Sequence, residues 1–214
     1  KLRVGRNNLN FLWKHYASYG QRIDPAVSNI IDMFVLTSQY DTDLRNWIGI
    51  NGPAATKPVP PTTDELLTIF NDLESFKMMS DSIIWHPVKY KLLFGQQADP
   101  AYQVRFKVVK VPGSSVSDTE IKSKVVSAIN QYFSLTNWDF GSSFFFTELA
   151  AYIHTQLATI VGTVVIVPLS GGAKFGDLFE IIADPDEIFI SCARVTDIDI
   201  VQALSDTSIG ITNG

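Results

Sequence analysis

Residues 102–133 read Tyr102-Gln-Val-Arg-Phe-Lys-Val-Val-Lys-Val111, then Pro112-Gly113, then Ser117-Asp-Thr-Glu120-Ile-Lys-Ser-Lys-Val125-Val-Ser-Ala-Ile129-Asn-Gln-Tyr-Phe133. The first run alternates: Val104, Phe106 and Val108 point one way, Arg105 and Lys107 the other, which is the pattern of a half-buried strand. Pro112-Gly113 stops it. Ser117 followed three residues later by Glu120 has the form of a capping box, and Ile121, Val125, Ala128, Ile129 and Tyr132 then share one helical face. A strand that stops at a turn and leads into an amphipathic helix is the unit from which the rest of this half is read.

Beyond it, Trp138-Asp-Phe-Gly141 makes a connection. Phe145, Leu149, Tyr152, Ile153 and Leu157 trace a second amphipathic helix that ends before Gly162. Thr163–Pro168 is β-branched and reads as a strand, followed by a Gly171-Gly172 turn. Three short strands close the pattern: Leu178–Ile182, Glu187–Ser191 and Val195–Val201. With connections this short the two helices cannot cover opposite faces of one sheet, so the packing is an α+β layer.

The first half is less regular. Ile30–Thr37 reads as a strand, Asp41–Trp47 as a short helix with acid in its first turn. Residues 49–61 hold four prolines and two glycines and must be a loop. Thr62 and Glu65 form a second capping box, opening a helix with the stripe Leu66, Ile69, Phe70, Leu73, Phe76. Val88–Phe94 reads as a strand ending in a polar turn, Gly95–Pro100. Two parts are expected: an N-terminal α+β segment, residues 1–98, and an α+β domain, residues 99–214, each with small mixed sheets and amphipathic helices packed on them.

Composition narrows the function. The chain has 214 residues, 46% of them apolar, with 14 Phe, 7 Tyr and 4 Trp; charged residues are only 18% and the net charge is −5. That is material for one or two cores, and it leaves room for apolar surface kept for partners. Lys1, Arg3 and Arg6, or Lys107 and Lys110, are the nearest approach to a basic patch, too sparse for a phosphate-neutralising stripe, so no nucleic acid is expected. The longest apolar run, Ile160–Leu169, is strand-length and broken by Gly162, Thr163 and Pro168, so no membrane helix is expected. Cys192 is single, needs no oxidising compartment, and reads as a small buried hydrophobe. The absence of an initial Met and the ending Ile209-Gly-Ile-Thr-Asn-Gly214 suggest part of a longer polypeptide.

Catalytic chemistry finds little footing. His15, His86 and His154 have no second ligand at a metal-binding spacing. Gly171-Gly-Ala-Lys-Phe-Gly176 has its lysine before the last glycine, unlike a phosphate loop. Asp184-Pro-Asp186-Glu187 and the pair Asp197 and Asp199 are the acidic clusters. The pair is expected on the outer face of a strand, and with His154 it is the place to look for acid–base work. No catalytic, cofactor-binding or metal residue is assigned, and no small-molecule substrate. Surface chemistry remains. Phe144-Phe145-Phe146, read as a helix start, cannot all face one core at 100° per residue, and large rigid aromatics anchor interfaces. Phe144, Phe145, Phe146 and Trp138, with Trp13, Tyr16 and Trp47, are the candidate contact residues.

Taken in order, Asn10-Phe-Leu-Trp-Lys-His-Tyr16, Arg22-Ile-Asp-Pro25, Ser28-Asn-Ile-Ile-Asp32 and Phe34-Val-Leu-Thr37 resemble the C-terminal part of the ring-forming baseplate wedge protein of T4-like contractile-tailed phages. The second half, from the Val104–Val111 strand through the Ile121–Phe133 helix, Trp138-Asp-Phe-Gly141, the helix of Leu149 and Ile153 and the strand Thr163–Pro168, resembles the baseplate J-like family. The resemblance implies a J-like α/β sandwich in the second half. It also implies a structural viral tail protein, made late, that forms homodimers and a higher ring assembly around the hub. Such a protein binds other wedge proteins, is assembled in the host cytoplasm into the virion's tail baseplate, and rearranges when the sheath contracts and the genome is ejected. It implies no enzyme and no cofactor. A non-phage assembly or binding module, and an enzyme of unrecognised type, stay open as alternatives.

Overall fold

The structure is a computed structural model that describes residues 30–50, 56–74, 82–169 and 178–201. These fall into two compact units: one runs through Lys89 and includes Pro185–Glu187, the other comprises Tyr90–Asp184 and the residues from Ile188 onward. The described residues form an α+β fold of small sheets with helices packed on them: the first unit holds a parallel pair of strands, the second both parallel and antiparallel pairs.

In the first unit, β1 (Ile30–Val35) and β2 (Ser82–Pro87) pair in parallel with Ile30 opposite Ser82 and Val35 opposite Pro87. A parallel pair needs a crossover, and the connection carries α1 (Ser38–Gly49) and α2 (Thr63–Glu74). α1 begins three residues before the expected Asp41; Thr37 is extended, its carbonyl accepts from the Asp41 amide, and Asp41 stands in the first turn paired with Arg45 at 2.7 Å. α2 starts where the capping box requires: the Thr62 amide donates to Glu65 Oε2 at 2.7 Å and the Glu65 amide to Thr62 Oγ1 at 3.3 Å. Of its expected stripe, Leu66 and Phe70 are buried, but Ile69 is exposed and Phe76 lies outside the described residues. Phe70 stacks on Trp85 at 4.6 Å, and with Val35 and Leu66 they make this unit's core. β2 was not expected at all. The strand foreseen at Val88–Phe94 is β3 (Lys89–Leu93), and Ser82–Pro87 ahead of it forms a separate strand with a different partner.

In the second unit, β4 (Val104–Lys110) is central, antiparallel to β6 (Val161–Pro168) and parallel to β9 (Ile198–Val201). The turn after β4 is a type II arrangement: Gly113 has φ +80, which only glycine adopts without strain, and the Ser114 amide closes on the Val111 carbonyl at 3.2 Å. α3 (Asp118–Tyr132) follows, its Glu120 amide capped by Ser117 Oγ at 3.2 Å; the Glu120 carboxylate turns instead to Lys124 at 2.8 Å. α3 and α4 (Phe146–Gln156) pack on the same face of the sheet. Val104, Phe106, Val108, Val161 and Ile198 join Ile121, Val125, Ile129, Leu149 and Ile153 in one core, with Val164, Ile166 and Ile200 at its margin. The one-faced layer anticipated from the short connections is what forms. β3 pairs with β8 (Glu187–Ser191), and β5 (Ser143–Phe145) with β7 (Glu180–Ile182).

Two expectations in this unit fail. The three phenylalanines do not open a helix together: Ser143–Phe145 is strand, and only Phe146 is helical. The antiparallel partner, β7, lies far along the chain, and its ladder overrides the local helical pattern. Nor does Asp197 share an outer strand face with Asp199. Val195–Asp197 is a 3-10 turn, the strand begins at Ile198, and Asp197 is buried. Among the described residues no helix is long and apolar enough to cross a membrane.

Candidate interaction surface

Because β5 is extended, its residues alternate. Phe144, opposite Ile181, turns inward and is fully buried; Phe145, opposite Glu180, turns to the other face and is half-buried. Phe145 also serves as the residue before α4, where its amide donates to Glu148 Oε2 at 3.1 Å. The Phe146 amide donates to the Phe179 carbonyl at 3.1 Å, and the Phe146 ring, buried, stacks on Phe179 at 5.7 Å.

Phe144 and Phe146 therefore belong to an aromatic core. Phe144 meets Phe133 and Phe189, each at 5.1 Å, edge to face, the geometry ring quadrupoles favour. Trp138 is half-buried against the same group, 5.2 Å from Phe189 and 5.6 Å from Phe133 and Phe144, and its Nε1 donates to the Tyr132 carbonyl at 2.6 Å. With its ring against the core and its N–H bonded internally, Trp138 works chiefly as a lid on the core. Beside it, burial and the nearby Glu148 carboxylate push the Tyr132 hydroxyl up to about 12. Trp47 is half-buried near the end of α1. Trp13 and Tyr16 lie outside the described residues, as do His15 and residues 171–176.

The polar candidates do not converge. Asp197 Oδ2 accepts from the Arg194 amide at 2.9 Å and so caps its own turn, whereas Asp199 stands on β9 opposite Lys107. His154 is exposed in the last turn of α4. His86 pairs with Asp32 at 2.8 Å across the β1–β2 ladder and stacks on Phe34, while Asp186 lies 3.2 Å and Glu187 3.7 Å from Lys89. Each acid or imidazole with a described partner is satisfied locally. Among the described residues no three His, Cys, Asp or Glu gather as a metal site would need. Cys192 is buried, as its apolar neighbours suggested.

An open cavity of about 620 Å³ lies in the first unit between α1, the proline-rich segment and α2, lined by Tyr40, Asp43, Val59, Pro61, Asp64 and Ile69 among others. Two of its three carboxylates are engaged close by: Asp43 accepts from Gln39 Nε2 at 2.9 Å, and Glu65 holds the Thr62 cap.

What the second unit does offer is apolar surface. Ile182, 62% exposed, stands with the half-buried Phe145 on the outer side of the β5–β7 ribbon, and Leu178, 73% exposed, and Phe179, 43% exposed, lie just ahead of β7. On the larger sheet, the face turned away from α3 and α4 carries Thr163, Val165 and Val167 of β6 beside Arg105, Lys107 and Val109 of β4. Here Val165 is 42% and, just past the strand, Leu169 is 51% exposed. β6 forms one margin of that sheet, with β4 its only paired strand among the described residues. As contact residues, sequence reasoning named none of these except Phe145. Thr163-Val-Val-Ile-Val167 is almost continuously apolar and shows no alternation, so the sequence held no sign that β6 has an exposed face, and only pairing reveals it as a margin among the described residues. Compared with known proteins, the chain matches no family model and no curated relative.

Proposed function

We propose that this chain is a structural component of the baseplate wedge of a contractile-tailed phage, its second half a J-like α/β sandwich. In this reading it self-associates and binds other wedge proteins to build the ring around the hub, and it rearranges as the sheath contracts. Its role is structural and not catalytic. It is assembled in the host cytoplasm and resides in the virion.

The observation that carries this reading is the order of elements in the second unit. The segments that bear the resemblance fall on a strand (Val104–Lys110), a helix (Asp118–Tyr132), the Trp138-Asp-Phe-Gly141 connection, a second helix (Phe146–Gln156) and a strand (Val161–Pro168), in that sequence. The apolar surface at Leu178, Ile182, Val165 and Leu169 supports a chain that works through contacts with other chains. A ring needs more than one kind of contact, since a closed two-fold pair cannot propagate, and the two patches lie on different sheets.

Antibody raised against the chain, applied to intact phage from a host that expresses it, should label the tail end distal to the capsid in electron micrographs. Particles without label, combined with self-association of the purified chain, would favour an assembly module unconnected with phage tails.

A further inference from the structure

We propose that β6 is a homotypic docking edge: two copies of the chain pair their β6 strands antiparallel across a two-fold axis that passes beside Val165. This deepens the self-association contained in the proposed function by naming its surface. The argument starts from what edge strands ordinarily carry. A free margin presents unpaired N–H and C=O groups, and monomeric proteins blunt it with charge, proline or a bulge. In β6 the protection is confined to the ends. The ladder is irregular where Val161 meets Lys110, and Pro168 closes the other end. Between them Gly162-Thr-Val-Val-Ile-Val167 has no charged residue and no proline.

The charge pattern favours a second copy as the occupant. In antiparallel pairing centred on Val165, Val165 faces its own mate and Thr163 faces Val167. Every cross-strand pair on that face is then neutral and β-branched, a combination that stabilises sheets. Two-fold pairing brings each residue to a copy of itself or of a neighbour, so a single charge in the run would have opposed it; none is there. Among the described strands the paired sheet would run β9-β4-β6-β6-β4-β9.

The test uses the full chain at several concentrations. Val165→Cys, mildly oxidised, should give a disulfide-linked dimer, because directly opposed Cβ atoms stand about 4.5–5.5 Å apart. Thr163→Cys should not, since its two copies would be separated by four residues along the strand, roughly 13 Å; the native Cys192 is buried. In sedimentation equilibrium Val165→Lys and Val165→Glu should each weaken the dimer by about tenfold or more, and an equimolar mixture of the two should restore it. A wild-type chain that stays monomeric throughout, equal cross-linking at 163 and 165, or a dimer indifferent to both charges would overturn the proposal. In that last case self-association stands and only its surface is wrong.

Discussion

A Cβ placed on Gly95 would lie 1.9 Å from the carbonyl oxygen of Cys192. The two segments are drawn together by the Cys192 amide, which donates to the Leu93 carbonyl at 2.8 Å, and the preceding Phe94 adopts φ +73 with its ring fully buried. Backbone, not a side chain, occupies the space, so it cannot swing away. Gly95→Ala should therefore lower unfolding free energy by about 2–3 kcal/mol or more, in the range of overpacking in a dense core. Urea denaturation followed by circular dichroism measures this, and a variant as stable as the parent would mean that the two segments do not approach so closely.

Phe144 and Phe145 make a matched pair of probes. Phe144→Ala removes a fully buried ring from the centre of the aromatic core and should cost about 3–5 kcal/mol. Phe145→Ala, on the other face of β5, should cost under about 1.5 kcal/mol. A shift of one residue in the β5–β7 register would exchange the two results.

Asp197 and Asp199 separate in the same way. Asp197→Ala deletes the acceptor of the Arg194 amide and should cost about 0.5–2 kcal/mol, as lost caps do, with part of it regained by Asp197→Asn. Asp199→Ala should fall within about 0.5 kcal/mol of the parent. Equal effects in thermal or urea unfolding would contradict the capping role.

Tyr132 makes the alkaline limb of the stability curve informative. Its hydroxyl, ordinarily near 10, is held near 12 in the fold, so the unfolded chain loses its proton first. The sign follows: the contribution is intact below about pH 10 and is lost as pH rises toward 12. Tyr132→Phe should flatten the fall in stability across that window relative to the parent, and the parent's tyrosinate absorbance should gain one late-titrating ring that the variant lacks. Identical profiles for the two proteins would remove Tyr132 from the linkage.

Much of the frame was legible without coordinates. Val104, Phe106 and Val108 had to face one way because strand geometry alternates, and they are buried. Ser117 and Thr62 had to start helices because free N–H groups at those positions need an acceptor, and each supplies one. Ile121, Val125 and Ile129 lie on one face for the same local reason. Glu187–Ser191 and the early residues of β1 are strands by composition alone, and Cys192 is buried as its neighbours implied.

The remainder depended on partners distant in sequence. Phe144-Phe145-Phe146 followed by Leu149 and Ile153 suits a helix by pattern, yet β7 offers a ladder that extends the first two, which sends one ring into the core and its neighbour outward. Ser82–Pro87 is a strand because β1 is there to receive it, and Asp197 is buried because the Arg194 amide turns back to meet it. The candidate surface follows the same rule. Sequence determined that Thr163–Val167 is β-branched and uncharged, since these are properties of the residues themselves. Only the tertiary structure decided that this run lies at the margin of its sheet, because a strand's neighbours are chosen by long-range pairing that no local pattern encodes.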